Sequence, residues 1–270
     1  DGLQFGTDPC VAVEAVTQDA GLSDDIEGVL VTVKSYATRE VGEWLRTISQ
    51  VPILSMQNGL GNGEALAEQI DSRRLAVGLT TYGATAEGDV KVHEKGRGNT
   101  VIGNWDEEEG AAGFWCDLLT KCGHQATLAS DIRTEVWRKA MINIGINPFT
   151  ALFDRKNGEL LDDPQLLRWM QATVSEAESV ARAEGIQLTD SFSRVMDVCR
   201  LTAANHSSML QDKRHGRQTE IDSLCGVIVR LGEKHGLATP FNSLLTKLVK
   251  GNQTADRSSQ LLSKVGENHA

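Results

Sequence analysis

Up to about residue 130 the apolar positions fall in short runs broken by polar and glycine-rich stretches, and beyond it they recur at helical spacing. Gly28-Val-Leu-Val-Thr-Val33 is a β-branched run that predicts a strand. Thr38 to Ile48 has the amphipathic order of a helix, and Pro52 to Met56 is a second strand-like run. Gly63 to Ile70 then predicts a helix and Arg74 to Tyr82 a strand, which continues the alternation of a parallel α/β sheet. Asp89 to Glu94 and Asn99 to Ile102 flank the loop Lys95-Gly-Arg-Gly98 and are expected as antiparallel or edge additions. Ala111 to Cys122 predicts a helix and His124 to Leu128 a last strand.

After Ser130 the strand signals stop. Helices are predicted over Ile132 to Phe153, Gln165 to Glu184, Asp190 to Asn205, Ile221 to His235 and Phe241 to Val249, with Gly185, Gly236 and Pro240 at helix ends. No internal repeat or low-complexity segment interrupts this order. The expected fold class is α/β, with a Rossmann-type parallel-sheet domain over residues 1–129 and an all-helical domain over 130–270. That plan is common among nicotinamide-dependent dehydrogenases, but a fold alone does not give a function.

Composition narrows the partners. Lysine and arginine total 27 against 37 aspartates and glutamates, and the net charge of −10 repels a phosphate backbone, so nucleic acid is not an expected partner. A small anion is still admissible, because a local lysine can overcome a diffuse surface charge. No apolar stretch approaches the roughly 20 residues that span a bilayer. Asp1-Gly-Leu-Gln-Phe-Gly6 lacks the basic, apolar and small-residue order of a secretory leader, so a cytoplasmic protein without membrane contact is expected. The cysteines Cys10, Cys116, Cys122, Cys199 and Cys225 form no Cys-x-x-Cys pair, and the histidines form no His-Glu-x-x-His motif. Neither a disulfide framework nor a metal site is expected.

The most informative stretch is Glu135-Val-Trp-Arg-Lys139-Ala-Met-Ile-Asn143-Ile-Gly-Ile-Asn147-Pro148. Lys139, Asn143 and Asn147 recur every four residues, which sets them along one helical face with a drift of about 40° per step. The surrounding Val136, Trp137, Met141, Ile142, Ile144 and Ile146 are apolar on nearly every side, so the helix is expected to be buried. A lysine and two amides there need partners, either water along a partly wet stripe or a ligand. Pro148 is expected to end or kink the helix and release a carbonyl upstream.

This segment resembles the ketopantoate reductase family residue by residue, with a Trp-Arg-Lys helix, two later asparagines and Asn-Pro. Val31-Thr-Val-Lys34 is similar to the family's strand ending in a lysine at the cofactor, and Gln57-Asn58-Gly59-Leu60-Gly61 to its loop beside the nicotinamide. Asn157-Gly-Glu-Leu160, Asn205-His-Ser-Ser208-Met-Leu-Gln-Asp212 and Thr219-Glu220-Ile-Asp222 continue the likeness over essentially the whole chain. The resemblance implies NADPH-dependent reduction of 2-dehydropantoate to pantoate, a step toward pantothenate and coenzyme A. It makes Lys139 the general acid and places Glu220 beside it and at the cofactor. It makes Asn58, Asn143, Asn147, Asn157 and Ser208 substrate-binding residues and Lys34, Asn58 and Ala84 cofactor-binding ones. Asn205, three residues before Ser208, is expected on the same helical face as part of the substrate set. Taken alone, Glu220 reads as an exposed helix-start glutamate, Lys34 as a solvated strand-end lysine, and Ser207 and Ser208 as helix-end chemistry.

Against the family's order of motifs, the sequence starts past the opening strand, the Gly-x-Gly-x-x-Gly turn, the helix and the second strand. Gly59-x-Gly61-x-Gly63 lacks the third glycine at the required spacing and is no substitute. The expectation is a sheet without its central strand and a weak grip on NADPH, so the function is assigned to the family while the activity of this chain itself is in question. NADPH itself is favoured by resemblance alone. Reduction of another branched 2-keto acid, or a non-catalytic helical binding or oligomerisation module, are the alternatives. Because helical second domains of dehydrogenases often pair, a homodimer is expected.

Overall fold

A computed structural model describes residues 2–6, 8, 10–14, 26–48, 50–88, 91–106 and 110–252. The chain divides into two compact units, residues 1–57 with 62–132, and residues 58–61 with 133–270. No helix among the described residues is long and apolar enough to cross a membrane.

The α/β unit holds β1 (Gly2–Phe5), β2 (Val11–Ala12), β3 (Val29–Val31), β4 (Ile53–Ser55), β5 (Leu75–Thr80), β6 (Gly83–Glu87), β7 (Lys91–Gly96), β8 (Thr100–Asn104) and β9 (Ala126–Leu128). Its helices are α1 (Thr38–Leu45), α2 (Asn62–Ala67) and α3 (Ala112–Lys121). Five strands form a sheet in the order β3-β4-β5-β8-β9. The first three are parallel, with Val29 opposite Ile53 and Ile53 opposite Leu75. Ile53, Leu54, Leu75 and Ala76 are fully buried, which is why β4 and β5 read as continuous apolar runs rather than alternating ones. Beneath the sheet, Leu54, Ala76 and Ile102 pack with Ala111, Ala112 and Trp115 at the start of α3.

Two details correct the sequence reading. β8 runs antiparallel to β5, one of the two placements expected for it, but inside the sheet, and β9 pairs parallel with β8, so the sheet is mixed rather than parallel. A second sheet, β2-β1-β7-β6, includes three strands that the pattern did not predict. β6, Gly-Ala-Thr-Ala-Glu, lies largely exposed and has no large apolar side chain to alternate, so it carries no strand signal. β7 is shifted from its expected range, of which Asp89 and Val90 lie outside the described residues.

The helical unit comprises α4 (Ile132–Phe153), α5 (Pro164–Ala183), α6 (Ser191–Leu201), α7 (Ser208–Arg214), α8 (Cys225–His235) and α9 over 240–252. α4 runs through the core, burying Met141, Ile144, Phe149 and Ala151 almost completely. Pro148 does not end it. Proline removes the bond to the Ile144 carbonyl, but the helix continues to Phe153, and Thr150 Oγ1 donates to the carbonyls of Ile146 (3.3 Å) and Asn147 (2.9 Å). α5 starts on Asp163, whose carboxylate accepts from the Gln165 and Leu166 amides. Glu176 of α5 caps α9 in the same way, accepting from the amides of Phe241 (2.9 Å) and Asn242 (3.0 Å). α5 and α8 are followed by Gly185 and Gly236 at φ +84° and +66°, the left-handed turn that glycine adopts without strain.

Candidate active site

The site in the helical unit is built from α4 outward. Lys139, Asn143 and Asn147 follow one another a turn apart on one face of that helix. Asn143 and Asn147 line a narrow cleft together with Asn58, Ser208 and Glu220, five residues drawn from four distant parts of the sequence. Gly59, Met209, Asp212 and Leu224 complete its walls. The free space is about 10 Å3, room for about one water molecule.

Three local devices bring these segments together. Thr150, just beyond Asn147 on α4, shares a 2.6 Å hydrogen bond with the Ser207 hydroxyl. Ser207 in turn caps α7 by accepting from the Leu210 amide at 3.1 Å, which puts Ser208 at the first turn of that helix. The second device is Gly59, at φ +87°, whose added Cβ would stand 2.5 Å from Ser223 Oγ. With Leu60 N–H donating to the Ser223 carbonyl at 2.8 Å, and Leu60 buried in the helical core, the segment 58–61 packs as part of this unit. Ser223 also donates to the Glu220 carbonyl through its hydroxyl (2.9 Å) and its amide (3.1 Å), so the same turn carries Glu220. The third is Asp212, which is 4% exposed and accepts from Arg217 Nε at 2.9 Å while its carbonyl accepts from the Arg217 amide at 2.8 Å. This closes the turn that leads from α7 to Glu220.

Lys139 is half-buried, and desolvation holds its ammonium below the usual lysine range, while the Glu220 carboxylate pulls the other way. A cation made less stable by burial but kept in place by a facing carboxylate is equipped to give up a proton. The neutral amides and the Ser208 hydroxyl that line the cleft both donate and accept, which suits a small oxygen-rich anion.

Asn157 and Asn205 are brought to each other rather than to this cleft. Asn157 N–H donates to the Asn205 carbonyl at 3.0 Å, and Asn157 Nδ2 donates to Thr202 Oγ1 at 2.8 Å. The buried Asn157 Oδ1 has no hydrogen-bond partner among the described residues. Asn205 is exposed in the connection between α6 and α7, because α6 stops at Leu201. The shared helical face expected for Asn205 and Ser208 therefore does not exist.

In the α/β unit, Lys34 leaves the end of β3 half-buried and opens a short 3₁₀ turn over Ser35–Ala37. A buried polar network that the sequence reading missed fixes this strand end. Gln57 Nε2 donates to the Val33 carbonyl (3.0 Å) and to Thr38 Oγ1 (2.7 Å), and Thr38 donates to Asn62 Oδ1 (2.8 Å). Ala84 sits at a bulge in β6 and lines a cavity of about 530 Å3 with Met56, Tyr82 and Gly83. Gly63 is a packing glycine: a Cβ there would stand 2.5 Å from the Trp105 ring.

A nucleotide-type sheet unit and a helical unit carrying a desolvated lysine among amides define an oxidoreductase of the two-domain dehydrogenase class. Residues 2–107 match the profile of ketopantoate reductase PanE/ApbA, and residues 131–253 that of the ketopantoate reductase PanE/ApbA C terminal. The chain is 37% identical to the 2-dehydropantoate 2-reductase of Archaeoglobus fulgidus over 84% of its own length and 77% of the relative's. It is 35% identical to that of Halobacterium salinarum over 93% and 82%. Among solved structures, a PanE/ApbA family ketopantoate reductase from Ralstonia eutropha superposes with a TM-score of 0.85 at 25% identity, covering 95% of this chain and 86% of that one. D-mandelate dehydrogenase with NADH and anilino(oxo)acetate superposes with the same score and identity over 94% and 85%. The chain belongs to the ketopantoate reductase PanE/ApbA family.

Proposed function

We propose that this chain reduces 2-dehydropantoate to pantoate, on the route to pantothenate and coenzyme A, with Lys139 as general acid. The observation that carries this is the desolvated Lys139 ammonium facing Glu220 beside a cleft walled by Asn143, Asn147, Asn58 and Ser208. NADPH, when bound, would supply a hydride for the carbonyl carbon. Lys139 gives its proton to the keto oxygen, so carbonyl becomes alcohol with both hydrogens accounted for. The amides and Ser208 hold the acid, and Glu220 orients the ammonium. Lys34, Ala84, Asn58 and Glu220 are the residues proposed to meet the cofactor. A lysine at the carboxyl end of a parallel strand suits an anionic group, and the roomy cavity beside Ala84, with Met56 and Tyr82, suits a flat ring. No residue is assigned to its phosphates, because the sequence holds no Gly-x-Gly-x-x-Gly turn.

The likeness to D-mandelate dehydrogenase favours a second reading, reduction of a different 2-keto acid on the same scaffold. A cytoplasmic setting suits five cysteines that are all free thiols. A homodimer remains our expectation for the assembly, decided by sedimentation velocity. The function is tested by NADPH oxidation with 2-dehydropantoate and a panel of branched 2-keto acids. Lys139→Ala is expected to lower kcat by roughly 10²- to 10⁴-fold. A better panel substrate selects the second reading, and no turnover with any of them returns the chain to a non-catalytic binding or oligomerisation module.

A further inference from the structure

We propose that Asp212 is a specificity-determining residue that accepts a hydrogen bond from the hydroxyl group of a hydroxylated 2-keto acid. The inference rests on the keto-acid reading of the cleft. Among the residues lining that cleft, Asp212 and Glu220 are the two carboxylates, and the Coulombic attraction of Glu220 acts on Lys139. Asp212 is 4% exposed, yet it forms part of the cleft wall, a turn along α7 from Ser208. Burying a carboxylate is costly unless it is paired, and Arg217 Nε at 2.9 Å offsets that cost from the solvent side, its own side chain being 57% exposed. A cap on the turn to Glu220 would need this ion pair, but it would not need Asp212 in the lining of the cleft.

The chemistry of the two partners then fixes what Asp212 selects. An ionised carboxylate only accepts hydrogen bonds, and it can serve several donors at once. In a simple 2-keto acid the carboxylate and the ketone are acceptors as well, so neither end matches Asp212, and the carboxylate is repelled by it. A hydroxyl substituent, as in 2-dehydropantoate, supplies the donor that the keto and carboxylate groups lack. The acid therefore lies with its carboxylate and ketone toward Lys139 and the amides, and its hydroxyl toward Asp212. A hydrogen bond to a charged acceptor is worth more than one to water, and the analogue that lacks the hydroxyl forgoes it.

The test compares 2-dehydropantoate with 3,3-dimethyl-2-oxobutanoate, which has the same skeleton without the hydroxyl, by calorimetric titration with NADP+ in the buffer. The unaltered protein is expected to bind the hydroxylated acid roughly 10- to 100-fold more tightly. In Asp212→Leu that ratio is expected to fall to within about threefold of unity, with Asp212→Asn, which keeps the shape and one acceptor, in between. Thermal melts check the folding of both variants, and Asp212→Asn alone suffices if the leucine variant does not fold. Three results overturn the proposal: equal binding of both acids by the unaltered protein, an unchanged ratio in the variants, or a loss of affinity equal for both acids. That last result is what a purely turn-closing role gives. An Asp212-dependent preference in a protein that oxidises no NADPH sinks the reductase reading and leaves this inference standing.

Discussion

Burial and a neighbouring carboxylate pull the proton affinity of Lys139 in opposite directions, and the balance is open to measurement. As a general acid Lys139 works only while protonated, so the rate falls as pH rises through its pKa. Glu220→Gln removes the attraction that holds the proton, and the basic limb of the pH–rate profile is expected to move to lower pH. A limb that stays in place excludes Glu220 as the partner of the ammonium. The stability term has its own sign. The folded-state pKa lies below the unfolded value, so between the two the unfolded chain binds more protons and stability rises with pH. The cost of the buried ammonium is thus fully present below the folded pKa and is relieved above it. Lys139, Asn143 and Asn147 were legible because helical periodicity is written locally. The role of Asp212 is not legible in the same way, since nothing in its sequence neighbourhood shows that Arg217 pairs with it or that it lines the cleft.

Elements built on apolar periodicity were read closely, and those built on single polar or backbone contacts were not. The long buried helix α4 came out with its observed ends. The short α7 escaped because seven residues hold too little pattern, and its start depends on the Ser207 cap and the Thr150 contact across the unit. The placement of Asn58 depends likewise on Gly59. Gly59→Ala forces a non-glycine residue to φ +87° and drives its Cβ to within 2.8 Å of the Ser223 carbonyl. Such strain is expected to cost about 1–3 kcal/mol, read as a lower urea midpoint, and to raise KM by displacing Asn58. The cap on α9 makes a separate prediction. Glu176→Ala leaves the Phe241 and Asn242 amides without their acceptor, with an expected loss of about 1–2 kcal/mol and faster hydrogen exchange at those two amides. Unchanged exchange there would show that α9 is held by Leu245 and Val249 in the core instead.

At the scale of the whole molecule, the cysteines sample its surface and the interior of one unit without any engineered label. Cys10 and Cys122 are exposed, Cys116 is half-buried, and Cys199 and Cys225 are buried in the helical core. The thiolate is the reactive form, so reactivity depends on both access and proton affinity. Burial pushes the Cys199 thiol up to about 11, and it pushes Cys225 up further, with Glu176 adding to the effect. Two thiols are therefore expected to react with a disulfide reagent within seconds at pH 8, Cys116 more slowly, and the last two only when the helical core opens. The labelling rate of Cys199 and Cys225 then reports the opening free energy of that core, and their labelling should follow the loss of helical ellipticity as urea is raised. A ligand that fills the cleft closes on walls taken from α4, α7 and the turn before α8, so a bound keto acid should slow those two thiols and leave Cys10 unaffected. Labelling of Cys225 in the native protein as fast as that of Cys122 would show that the helical core is open, and protection by ligand at all five positions alike would place the keto acid somewhere other than this cleft.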